Sequence, residues 1–247
     1  MLEVRGLSKS FGGLAAVRSV DLDVPAGAIV ALIGPNGAGK TTMFAMIAGF
    51  IRPDAGTVRF EGTDITGWRP DRIADAGMVR TFQVTQPFAG LSVMENIRLG
   101  AFLRTANPAD AEAKARDVGT RLGLGPVLDR PAAALTVAGR KRLEVARALA
   151  TEPRLLLLDE VMAGLNPSEV NEIVGLIRAV RDSGVTILLI EHIMQAVAAL
   201  ADRVHVLAEG ALIASGTARE IAADPRVIEA YLGHGAAAKM ASGATHA

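Results

Sequence analysis

Four short stretches of the chain are aliphatic or β-branched: 17–24 (VRSVDLDV), 28–33 (AIVALI), 154–158 (RLLLL) and 185–190 (VTILLI). Stretches this short read as strands. Several are too uniformly apolar to have a wet face, and strands dry on both sides belong to a parallel sheet covered by helices. Helical periodicity fills the intervals at 40–48, 168–181 and 192–201. Strand followed by helix, repeated, predicts an α/β fold.

The middle third breaks this alternation. From about residue 92 to 150 the pattern carries helix signals and no convincing strand. Ser92 and Glu95 have capping-box spacing, Asn107-Pro108 opens a second, charge-rich helix, and a third runs through RKRLEVARALA. An all-helical insertion in an α/β core accounts for this, giving core segments 1–85 and 150–235 around a helical subdomain at 86–149. Residues 203–214 predict a hairpin around Glu209-Gly210, and Thr217 with Glu220 caps a short helix. The tail at 236–247 is low in complexity and is expected to be disordered.

Composition narrows the chemistry. The 247 residues are 50% hydrophobic, enough for a sizeable core, and no apolar run approaches the roughly 18 residues a spanning helix needs. MLEVRGLSKSF lacks the apolar stretch of a secretory signal, so a cytosolic chain is expected unless a partner holds it at a membrane. The absence of cysteine excludes disulfides, thiolate metal sites and cysteine nucleophiles. Lys plus Arg balance Asp plus Glu at 26 each, and aromatics are 4%, which argues against broad nucleic-acid binding.

Directly after AIVALI comes GPNGAGKTT: Gly34, Pro35, Asn36, Gly37, Ala38, Gly39, Lys40, Thr41 and Thr42. This satisfies the G-x-x-x-x-G-K-[ST] phosphate loop, here between a predicted strand and a predicted helix. Glycines let backbone N–H groups turn around an anion, and the helix directs the positive end of its dipole there. Lys40 would reach the β- and γ-phosphates, and the Thr41 hydroxyl would ligate Mg²⁺. The second constellation is LLLLDE, a buried strand ending in Asp159 and Glu160. Acids at the carboxyl end of a core strand are expected beside the phosphate loop, Asp159 for the Mg²⁺ hydration shell and Glu160 for the attacking water.

Three single residues fit around the γ-phosphate and the base. Gln83 closes a predicted strand in VRTFQ, and its amide could touch Mg²⁺ or the attacking water; a surface loop glutamine is the alternative. His192 follows VTILLIE and could contact the γ-phosphate, or could cap a helix. Phe11, before Gly12-Gly13, could stack on a base or belong to the core.

Phosphate loop, glutamine, helical segment, paired acids and histidine, in this order, resemble the nucleotide-binding subunit of ATP-binding cassette (ABC) transporters over essentially the whole chain except the tail. The resemblance implies a RecA-like P-loop core with an inserted α-helical subdomain. It makes GPNGAGKTT the Walker A segment, LLLLDE the Walker B segment with Glu160 as catalytic glutamate, and Gln83 the Q-loop residue. Ala163 to Asn166 fall on the D-loop, His192 on the switch histidine and Phe11 on the adenine-stacking aromatic. One departure stands out: where the family has LSGGQ, this chain has Leu135, Thr136, Val137, Ala138 and Gly139. In the family this segment closes over the ATP of the other subunit. Thr136 keeps the hydroxyl, while Ala138 stands at the second glycine and Gly139 at the glutamine.

RTFQ at 80–83, the D-loop AGLNP and the ending VIEAYLG at 227–233 are similar to the ATP-binding subunits of branched-chain amino-acid importers. Relatives serving urea or other polar solutes, and an exporter ATPase, are also similar. A soluble cassette ATPase outside transport remains a rival reading. The resemblance implies ATP and Mg²⁺ as cofactors, a second ATP-binding subunit in a hetero- or homodimer, integral membrane permeases, and indirectly a solute-binding protein. It places the chain at the cytoplasmic face of the inner membrane, with no nucleic-acid partner.

Overall fold

In a computed structural model of the chain the described residues are 1–81 and 87–232. Gln83 and the tail at 236–247, both named in the sequence reading, lie outside them. The chain divides into two compact units, one formed by Met1–Trp68 with the chain from Leu188 onward, the other by Arg69–Ile187.

The first unit opens with strands β1 (Leu2–Phe11), β2 (Leu14–Val24) and β3 (Ile29–Ile33), followed by helix α1 (Lys40–Ile47) and strands β4 (Ala55–Phe60) and β5 (Thr63–Asp64). Strands β1, β2, β4 and β5 form an antiparallel sheet in the order β2-β1-β4-β5. The run at 17–24 is a strand, as expected, and it lies in this antiparallel sheet: Val17, Val20, Leu22 and Val24 are buried while Asp21 and Asp23 are exposed. That is the half-wet alternation of an antiparallel strand.

The second unit begins with α2 (Pro70–Asp75) and β6 (Met78–Arg80), continues through α3 (Val93–Ala101), α4 (Pro108–Arg121) and α5 (Val137–Leu149), and ends in β7 (Leu155–Asp159) and α6 (Pro167–Asp182). α2 starts at Pro70 without a side-chain cap, whereas a polar cap sets the start of each of α3 to α6. Ser92 and Glu95 form a reciprocal capping box on α3, Asn107 caps α4, Thr136 caps α5, and Asn166 with Glu169 forms a second box on α6. Buried Asn96 reinforces the head of α3, accepting from the Phe88 N–H at 2.9 Å and donating to the Ser92 carbonyl at 2.9 Å. Strands β6 and β7 run parallel, with Met78 opposite Leu155 and Arg80 opposite Leu157.

Strand β8 (Thr186–Ile190) straddles the division, and the first unit then resumes with α7 (Met194–Leu200), the hairpin β9 (Arg203–Ala208) and β10 (Ala211–Gly216), α8 (Ala218–Ala223) and α9 (Pro225–Leu232). Here the strand order is β10-β9-β3-β8, with β3 and β9 parallel. The hairpin turns at Glu209-Gly210, where both residues have positive φ. Every residue of β3, β7 and β8 is buried, including Asp159 at the end of β7 and Thr186 at the start of β8.

Candidate active site

The phosphate-loop segment leaves β3 and turns into α1. Its shape rests on two points where backbone approaches backbone. A β-carbon on Gly34 would lie 2.0 Å from the Leu207 carbonyl oxygen, and one on Gly39 would lie 2.3 Å from that of Ala16. Both glycines also have positive φ, 151° and 102°, so only glycine satisfies geometry and space together. Gly39 is the N-cap of α1 and no side chain caps this helix, in contrast to α3, α4, α5 and α6. Donors at an uncapped helix start, with the dipole behind them, suit an anion. The buried Lys40 ammonium donates to the carbonyls of Gly34 (2.7 Å) and Pro35 (2.9 Å), so a full positive charge sits within the loop itself.

Tyr231 on α9 was not singled out by chemistry in the sequence. Its phenol accepts from the Gly34 N–H, and burial nevertheless holds its pKa above the ordinary tyrosine value. The C-terminal helix thereby touches the first residue of the loop.

In the second unit β7 delivers its two acids to contrasting surroundings. Asp159 is 1% exposed; its N–H donates to the Thr81 hydroxyl at 3.1 Å, and its Oδ2 accepts from the Arg80 guanidinium at 2.7 Å. Oδ1 is buried and meets no donor among the described residues. Glu160, one residue later, is half-buried and adopts the left-handed conformation at φ 49°, while its carbonyl accepts from buried Lys141 at 3.2 Å. A non-glycine residue held in that region is strained by about 1–3 kcal/mol and persists only where its surroundings fix it. Arg80 and Thr81, within RTFQ, and Lys141, within RKRLEVARALA, carry no signal in the sequence that would join them to these acids.

Of the single residues, His192 is exposed immediately after β8 and does not cap α7, which begins at Met194. Phe11 is not core: it is 47% exposed at the tip of the β1–β2 hairpin, paired with Leu14, and the Lys9 ammonium lies 5.6 Å from its ring centroid. An exposed ring beside a cation can receive a flat aromatic ligand. In the segment 135–139, the Thr136 hydroxyl accepts from the Gly139 N–H at 3.1 Å. Ala138 is 7% exposed and borders a cavity of about 380 Å³ with Leu124, Leu135, Arg142 and Glu172. Thr136 is exposed, and so is Val137, 50% exposed at the position of the first glycine of LSGGQ.

Mg²⁺ takes oxygen ligands, retains several waters and uses one or two carboxylates with phosphate oxygens. In the second unit Asp159 Oδ1, an interior acceptor without a donor among the described residues, is an oxygen of that kind, and in the first unit so is the exposed Thr41 hydroxyl on the first turn of α1. Among the described residues no group of three acids or histidines forms a self-sufficient metal cage.

Residues 17–163 match the family described as ABC transporter, and residues 211–237 match that described as branched-chain amino acid ATP-binding cassette transporter. The chain is 41% identical to the high-affinity branched-chain amino acid transport ATP-binding protein LivG of Escherichia coli (strain K12), over 94% of this chain and 98% of that protein. It is 39% identical to BraF of Pseudomonas aeruginosa, a protein of the same description, with the same coverage. Among solved structures, an ATP-binding cassette of an ABC transporter in its ADP conformation superposes with a TM-score of 0.87 at 32% identity, covering 95% of this chain and 99% of that one. A nucleotide-free ATP-binding cassette from an ABC transporter gives 0.86 at 32% identity, covering 94% and 98%.

Proposed function

The chain belongs to the ABC transporter family, in the group of branched-chain amino acid ATP-binding cassettes, and from that premise we propose that it is the ATPase subunit of an importer of branched-chain amino acids. The observation that carries the catalytic part is the phosphate loop, in which Gly34 and Gly39 admit neighbouring backbone, Lys40 is buried within the turn, and α1 starts without a side-chain cap. The match of residues 211–237, and the likeness to LivG and BraF along nearly the whole chain, support the cargo class.

In this reading Lys40 and the first amides of α1 bind the β- and γ-phosphates of ATP, and Phe11 stacks on the adenine. Thr41 and Asp159 would hold Mg²⁺, which when bound neutralises phosphate charge and orients the terminal phosphoryl group. Glu160 accepts the proton of the attacking water, the strained turn holding its carboxylate beyond the strand end. His192 contacts the γ-phosphate. Gln83 reports on the nucleotide from outside the described residues.

A second ATP-binding subunit completes each site by presenting its 135–139 segment, where the α5 N-terminus supplies amides and Thr136, already accepting from Gly139, can still donate its hydroxyl proton. Contacts made only in the closed pair shift the equilibrium towards closure, and loss of the γ-phosphate reverses it. Ala138 is nearly buried and Val137 half exposed, so Val137 is the side chain at the two glycine positions that would meet the partner's nucleotide. No described helix is long and apolar enough to cross a membrane. In this reading permease subunits supply the transport path and dock this chain at the cytoplasmic face.

The test is reconstitution with the permeases and a solute-binding protein in proteoliposomes. Leucine, isoleucine or valine should stimulate phosphate release and accumulate in the lumen. Stimulation by urea and not by leucine would overturn the cargo, and stimulation by nucleic acid without permeases would overturn transport.

A further inference from the structure

The buried pair between Arg80 and Asp159 carries an inference that rests on the proposed ATPase reading and goes beyond it. Strands β6 and β7 run parallel with Arg80 opposite Leu157. Side chains two residues apart on a strand share a face, so Arg80 lies on the face of Leu157 and Asp159. The guanidinium reaches Asp159 Oδ2 at 2.7 Å, with the two side chains 9% and 1% exposed. Next in sequence, Thr81 takes the Asp159 N–H on its hydroxyl while its own N–H donates to the Leu157 carbonyl at 2.9 Å. Arg80, the last residue of β6, and Thr81 directly after it thus hold one acid at two points, and Oδ1 is the acceptor they leave without a donor among the described residues.

We infer that Arg80 is a positioning residue for the metal-holding carboxylate: by fixing Asp159 through Oδ2 it orients Oδ1 for the hydration shell of Mg²⁺. Arg80 gives this deeply buried carboxylate a directional, charge-assisted bond. Two effects oppose each other. The guanidinium's charge repels a cation, whereas its hydrogen bond removes the rotational freedom that the acid would otherwise lose on binding the metal. Partners of metal-ligating groups are worth about 10- to 100-fold in affinity when removed, so orientation is assigned the larger share.

The experiment measures Mn²⁺ binding by electron paramagnetic resonance in the presence of a non-hydrolysable ATP analogue, alongside analogue binding in EDTA. Arg80→Met should bind the analogue in EDTA like the wild type but bind Mn²⁺ about tenfold more weakly or worse. Arg80→Lys, which restores the charge through a single-point contact, should fall between them. Unchanged or tighter Mn²⁺ binding in Arg80→Met overturns the inference. If that variant does not fold, Arg80→Lys decides: Mn²⁺ affinity weakened several-fold supports positioning, and wild-type affinity overturns it. Failure of the wild type to bind the analogue in EDTA would instead remove the ATPase reading itself.

Discussion

Gly34, Gly37 and Gly39 all have positive φ, yet they are glycine for different reasons. Nothing lies within 4 Å of a β-carbon placed on Gly37, so only backbone strain opposes a side chain there, whereas at Gly34 and Gly39 neighbouring carbonyl oxygens occupy the space. Gly37→Ala should therefore cost about 1–2 kcal/mol of stability from the left-handed conformation alone. Gly34→Ala should cost about 1–3 kcal/mol more, because the loop must move off Leu207, and should weaken ATP binding with it. Urea unfolding with and without ATP measures both, and equal losses would show that the Leu207 contact does not shape the loop. The residues legible in the sequence are those whose chemistry is local: GPNGAGKTT carries its phosphate mechanism in nine consecutive positions. Arg80 and Asp159 are separated by 79 residues, and no spacing rule joins a strand-end arginine to an acid on another strand.

Among the elements, the strands that were plain in the sequence are those buried on both faces, β3, β7 and β8, where no polar residue interrupts the run. The antiparallel sheet was not legible as such. In β1 the alternation is broken by register shifts between Val4 and Leu7 and again before Ser10, so its buried Leu2, Val4 and Leu7 do not stand out from Lys9 and Ser8. Strand β9 carries a different consequence of burial. His205 is 6% exposed, both ring nitrogens lack a hydrogen-bond partner among the described residues, and its pKa falls to about 4, through burial first and the charge of Arg203 second, with Asp23 opposing. The unfolded chain, with a histidine pKa near 6.5, binds more protons than the folded chain between these values. Neutral His205 thus contributes fully above pH 6.5, and that contribution is lost as pH falls towards 4. Between pH 7 and pH 5 the loss should be about 2 kcal/mol. Urea midpoints at the two pH values should differ accordingly in the wild type and much less in His205→Leu; an equal slope in both would place the sensitivity elsewhere.

For the whole molecule, the division of the chain explains why a single pattern of strand and helix does not run from end to end. The first unit takes its residues from both ends of the sequence, and the described helices α3, α4 and α5 fall in the segment between, each started by its own cap. Those caps were readable at Ser92 and Asn107 because capping is local; the surface role of Val137 was not, since it depends on which face of α5 turns outward. The central claim is that Glu160 activates water on an ATP held by Lys40. Its direct test is phosphate release from MgATP by the transporter complex carrying wild-type chain, Glu160→Gln or Lys40→Ala, with nucleotide binding measured on the same samples. Lys40→Ala should lose binding. Glu160→Gln should bind MgATP as the wild type does, hold the two cassettes closed, and release phosphate about 100-fold more slowly or worse. Release at the wild-type rate from Glu160→Gln would contradict the account.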